Sequence, residues 1–93
     1  MQSEATFFKL LGARIKQLRQ KAGYSQEDMI SRGFSVRYWQ KIEAGKPINL
    51  RTLLRICRLF STPMHEVVRG LDVAGSGQRS IMQKGSRRAK EPK

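Results

Sequence analysis

Cysteine occurs once, at Cys57, and histidine once, at His65. A single thiol excludes an intrachain disulfide, and the two residues together fall short of the ligand set a structural zinc site draws on. Acidic residues are scarce, 7 Asp and Glu against 19 Lys and Arg, and no acid, base and nucleophile form a constellation that would make the chain an enzyme. Long apolar runs are missing too. The patch near the start, "FFKLLG", is far short of the ~18 residues of a membrane span. It also has none of the flanking features of a secretory signal. These absences lead us to expect a cytoplasmic protein with no membrane contact, no metal and no cofactor.

What the chain has in excess is positive charge, a net +12 over 93 residues with a pI near 11.0. Such a field attracts phosphate polymers or anionic surfaces, although charge of one sign also serves solubility alone. With 39% hydrophobic residues, a chain of this length builds one modest core and leaves no room for two lobes and a cleft.

Apolar residues recur at Phe7, Phe8, Leu11, Ile15, Leu18 and Ala22, the three-and-four spacing of one helix face, and predict a first helix over 6–22 ended by Gly23. Ser25, with Asp28 three residues on, opens a short second helix whose buried side is Met29 and Ile30. "RGFS" breaks it, and Ser35 caps a third helix over 36–44 that stops at Gly45. Asn49 caps a fourth, running to about Phe60 and burying Leu50, Leu53, Leu54, Ile56, Cys57 and Phe60, with Ile48 and Leu53 at the spacing of a hydrophobic staple. Thr62 and Pro63 start a fifth, with Met64, Val67 and Val68 inward. No strand-length alternation occurs, so the expected fold is all-α, a compact five-helix domain over 1–71.

From residue 72 the composition turns to Gly, Ser and charge, which predicts a flexible basic tail over 72–93. The tail holds 6 basic and 2 acidic residues against 13 and 5 in 1–71; the domain itself is therefore strongly basic. "KGSRRAK" within the tail reads either as a non-specific DNA arm or as a solvated end.

Two short serine-capped helices joined by a glycine turn, in a basic all-α domain, are the parts of a helix-turn-helix, whose second helix lies in the DNA major groove. The stretches "LGARIKQLRQKAGYSQEDM", "FSVRYWQKIEAGK" and "NLRTLLRICRLF" resemble the Cro and C1 repressor-like helix-turn-helix family, also called the XRE family, from residue 8 to about 71. The resemblance implies base contacts from Val36, Arg37, Gln40 and Lys41. It implies backbone contacts from Ser25, Gln26, Ser35, Tyr38, Lys46, Asn49 and Arg51, with Gln26 at a helix start where free N–H groups favour an anion. By chemistry, Arg37 suits guanine O6 and N7, Gln40 adenine, and Val36 a thymine methyl. Trp39 and Ile42 take positions where relatives place apolar residues that pin the third helix, and Arg19 and Glu43 match a structural ion pair. Arg55 and Arg58 read as a solvated helix face.

The expected activity is sequence-specific binding of double-stranded DNA by a transcriptional regulator, as a homodimer on an inverted repeat, with a dimer interface at Val67, Val68 and Leu71. Alternatives on the same fold are an antitoxin or restriction-controller protein with a protein partner, and an RNA- or protein-binding adaptor. One departure stands out. Between "SQE" and "IEAG" the chain is one residue shorter than the family pattern, and "ISRGFS" lacks the apolar residue that usually precedes the turn glycine, so the second helix or the turn must differ. His65 reads as an exposed helix-start residue and Cys57 as a small core hydrophobe.

Overall fold

The computed structural model describes residues 3–72; the expected tail, Asp72 apart, and its "KGSRRAK" segment lie outside the described residues. Helix α1 spans Glu4–Lys21, capped by the Ser3 hydroxyl, which accepts from the Thr6 N–H at 3.1 Å. It starts two residues earlier than the apolar periodicity predicts because the cap, not the first apolar residue, sets the first turn. Leu11 and Ile15 are fully buried, Phe7, Phe8 and Leu18 half-buried, while Ala22 is exposed.

The second helical segment, Glu27–Arg32, is a 3-10 helix. The departure expected for the second helix is therefore one of helix type: a 3-10 helix rises ~2.0 Å per residue against ~1.5 Å in an α-helix, so six residues reach further. The three-residue repeat buries Met29 completely and turns its neighbour Ile30 out, 60% exposed, against the expectation that both face inward. Ser25 and Asp28 close its start reciprocally. The Asp28 N–H donates to Ser25 Oγ at 3.1 Å and the Ser25 N–H to Asp28 Oδ2 at 2.7 Å. Those bonds, backbone first, hold the Asp28 carboxyl below its ordinary value.

Gly33 carries the turn at φ 93°, a backbone region that only glycine enters freely. The apolar residue missing before it is supplied immediately after, by Phe34, which is 3% exposed and sits edge-on to Trp39 at 5.0 Å between ring centroids. Helix α2, Val36–Ala44, follows, its start capped by Ser35 Oγ accepting from the Tyr38 N–H at 3.0 Å.

Helix α3, Leu50–Leu59, is capped by Asn49 Oδ1 accepting from the Thr52 N–H at 2.8 Å. It buries Thr52, Leu53, Ile56 and Cys57, and burial pushes the Cys57 thiol up. Leu50 and Leu54 are instead exposed, at 68% and 40%, because they stand one turn apart on the edge of the wheel beyond the core stripe. Helix α4 is one turn, Met64–Val67. Arg14 ties it to α1: Nη1 donates to the carbonyls of Glu66 and Val67 at 3.2 and 3.1 Å, and Nη2 to that of Arg69 at 3.2 Å. The guanidinium thus satisfies the carbonyls that a helix end leaves without partners. Among the described residues there is no strand. One core, centred on Ile15, Met29, Trp39, Ile42 and Ile56, joins all five segments.

Candidate nucleic-acid interface

On a helix of nine residues, positions 36, 37, 40, 41 and 44 share one face while 39 and 42 share the other. Trp39 and Ile42 are accordingly buried, at 0% and 2% exposure. The opposite face is open: Val36, Arg37, Gln40, Lys41 and Ala44 line a concave surface with Lys46 from the following loop. Among the described residues none of the cations Arg37, Lys41 and Lys46 forms a salt bridge. All three charges therefore remain available to an external anion.

Behind this face a buried carboxylate fixes the helix. Glu43 Oε2 accepts from Arg19 Nε at 2.6 Å and from the Trp39 indole N–H, and Oε1 accepts from Arg19 Nη2 at 3.2 Å and Gln26 Nε2 at 3.0 Å. The two charged side chains are 10% and 5% exposed. Arg19 Nη1 donates to the Tyr24 carbonyl at 2.8 Å. Burial alone raises the Glu43 carboxyl, but the hydrogen bonds from Arg19, Gln26 and Trp39 outweigh it and hold the group below its ordinary value. Its hydrogen bond raises the Arg19 guanidinium in turn. Both stay charged across neutral pH.

The same carboxylate reaches the open face through Gln26. With its amide nitrogen committed to Glu43, the Gln26 Oε1 accepts from Gln40 Nε2 at 3.2 Å. Gln26 is thus turned across the start of the second segment toward α2. Gln40 keeps its Oε1 and one N–H free, the pair that a bidentate contact to adenine uses.

Other residues expected in backbone contact are placed differently. The side-chain oxygens of Ser35 and Asn49 are occupied as helix caps and that of Ser25 accepts from the Asp28 N–H, while Lys46 and Arg51 are exposed. Tyr38 lies off the concave face, 38% exposed, with its ring stacked on Phe34 at 6.3 Å. The expected dimer interface needs correction. Val67 and Leu71 are 1% and 5% exposed and belong to the core, and only the half-buried Val68 is left at that position. Their apolar character reflects packing within the domain.

Sequence reasoning passed over two contributors, Gly12 and Arg14, and read a third, Arg55, only as part of a solvated helix face. Gly12 lets α1 touch α2: a Cβ there would lie 2.5 Å from the Ile42 carbonyl oxygen and 2.8 Å from that of Glu43. A glycine in the middle of an amphipathic helix was the available signal. Arg14 and Arg55 carried none, since a cation on a helix face gives no sign that it will find backbone carbonyls or a ring. Among the described residues no group of three or more His, Cys, Asp or Glu is placed to hold a metal ion, and no helix is long and apolar enough to cross a membrane.

A capped helix held by its buried side against a preceding short helix and glycine turn, with a basic outer face, defines a DNA-binding helix-turn-helix. The chain matches the helix-turn-helix domain family over residues 10–71, two thirds of its length, and belongs to it. That match accords with the Cro and C1 repressor-like resemblance read from the residues. A search of the curated proteins found no match.

Proposed function

We propose that the protein is a sequence-specific, double-stranded-DNA-binding transcriptional regulator of the Cro and C1 type, acting in the cytoplasm without enzymatic activity. The observation that carries this reading is the face of α2, where Val36, Arg37, Gln40 and Lys41 line one concave surface with Lys46. Arg37 and Gln40 read base edges, Val36 meets a thymine methyl, and Lys41 and Lys46 neutralise phosphate. Arg51 extends the phosphate contacts along the next helix, and the Gln26 amide holds Gln40 in reading position.

A single unit of this size reads few base pairs, and pairing as a homodimer on an inverted repeat multiplies affinity and specificity. With Val67 and Leu71 in the core, the contact surface we assign is the exposed Leu50 and Leu54 of α3. Helix α3 begins four residues after Lys46, so this contact surface lies close in the chain to the face proposed to meet DNA.

Selection of bound duplexes from a random library at near-physiological salt tests the reading. Enrichment of a two-fold symmetric site is expected, and Leu50→Lys with Leu54→Lys should reduce it to a half-site and the protein to a monomer in sedimentation. Binding that enriches no sequence and merely disappears with rising salt would refute the specific regulator.

A further inference from the structure

Three arginines stand apart from the face of α2. Arg32, Arg55 and Arg58 surround an open groove of about 340 Å³ whose other walls are Phe34 and Leu59. It shares no lining residue with the concave surface around Arg37. Among the described residues none of the three forms a salt bridge.

Two of them are held in place. The Arg55 guanidinium lies over the Phe34 ring, 4.3 Å from its centroid, and its Nη2 donates to the Gly33 carbonyl at 3.2 Å. Arg32 lies over the Tyr24 ring at 4.2 Å, and its Nη1 donates to Ser31 Oγ at 2.8 Å. A stacked guanidinium keeps N–H groups directed outward in its own plane, in the fork geometry that matches a carboxylate or a phosphate. Because these planes are already fixed, little further side-chain entropy is lost when an anion arrives.

Charge alone would suit either anion, and the walls between the charges decide. Leu59 and the arginine stems form an apolar floor inside the cationic rim. A nucleic-acid backbone is polar and charged throughout and would leave that floor without a partner. A peptide with carboxylates separated by apolar side chains matches both parts. We propose that the groove docks an acidic, apolar-interleaved segment of a partner protein, with carboxylates on Arg55, Arg58 and Arg32 and an apolar side chain on Leu59. The contact leaves the α2 face free, so peptide and duplex bind together.

Fluorescence anisotropy of the full chain with a labelled peptide of alternating glutamate and leucine tests this. A glutamine-for-glutamate version serves as control. The acidic peptide should bind and the control should not. Arg58→Glu should weaken the peptide by about tenfold through a lost charge-assisted contact and added repulsion. Arg55→Lys, which keeps the charge and loses the planar fork, should weaken it as well. Thermal melting of Arg58→Glu should match that of the parent, whereas Arg55→Lys also gives up its contacts to Phe34 and the Gly33 carbonyl and should melt somewhat lower.

Equal binding of both peptides, or no response to Arg58→Glu, would overturn the proposal. So would a uniform loss of duplex affinity with a shallower salt dependence in Arg58→Gln, since that would place a phosphate backbone in the groove. The peptide arm requires no DNA, so a failed duplex selection and a failed docking site are distinguishable.

Discussion

Glu43→Ala removes the carboxylate on which Arg19, Gln26 and Trp39 converge, and its consequence is a loss of stability rather than of a DNA contact. The Arg19 guanidinium would keep its charge in a site where its side chain is 10% exposed, with the Tyr24 carbonyl as its remaining partner. Removing one member of a buried pair costs about 3–5 kcal/mol, whereas an exposed pair is worth about 0.2–1 kcal/mol. The burial here puts the pair in the first regime. For a domain of this size each kcal/mol moves the melting temperature by about 4–8 °C, so the variant should melt on the order of 20 °C lower. Subtracted from a total stability of about 5–15 kcal/mol, that loss leaves the variant folded at 25 °C except at the low end of the range. Urea and thermal unfolding followed by circular dichroism would measure this. Arg19→Met combined with Glu43→Leu should recover much of the loss, because no buried charge is then left without its partner. A drop below about 1 kcal/mol for Glu43→Ala, with no recovery in the double variant, would refute the buried-pair reasoning.

Gly12→Ala should cost about 1–3 kcal/mol, because its Cβ would meet the Ile42 and Glu43 carbonyl oxygens, and backbone cannot step aside as a flexible side chain does; urea denaturation reads the effect. Arg37→Ala should relax preference at one base pair at a cost of about 1–3 kcal/mol there, whereas Lys46→Ala should weaken all duplexes alike and flatten the salt dependence. Equal, sequence-independent losses for both would remove Arg37 from base reading. Gln26→Ala should relax preference at the base pair read by Gln40 more than it weakens binding overall, as competition between matched and mismatched duplexes would measure. Acid should destabilise the fold. The Glu43 and Asp28 carboxyls sit below their ordinary values, so the unfolded chain takes up their protons more readily. Their contribution is complete above the unfolded values of about 3.9–4.3 and is lost as pH falls through the lower folded ones. Urea midpoints that rise on acidification below about pH 5 would contradict this.

Sequence by itself determined the order of the helices and, the Ser3-capped start of α1 apart, came close to their ends, because those depend on local chemistry. A serine or asparagine hydroxyl or amide at a cap acts within three residues, as Ser35 does on Tyr38 and Asn49 on Thr52, and apolar spacing shows which side of α1 or α2 turns inward. The basic face of α2 was legible through the family resemblance, which set Trp39 and Ile42 inward and Arg37, Gln40 and Lys41 outward. Tertiary structure alone decided what depends on distance across the chain. That the second segment is a 3-10 helix that exposes Ile30, and that Phe34 after the turn is buried edge-on to Trp39, follows from packing between segments. That Val67 and Leu71 are core while Leu50 and Leu54 are surface follows from how α3 packs on α4 and α4 on α1. An apolar residue at helical spacing meets the same pattern whether its neighbour is this chain or another. The groove between Arg32, Arg55 and Arg58 exists only because residues more than twenty positions apart share one surface, which no local pattern records.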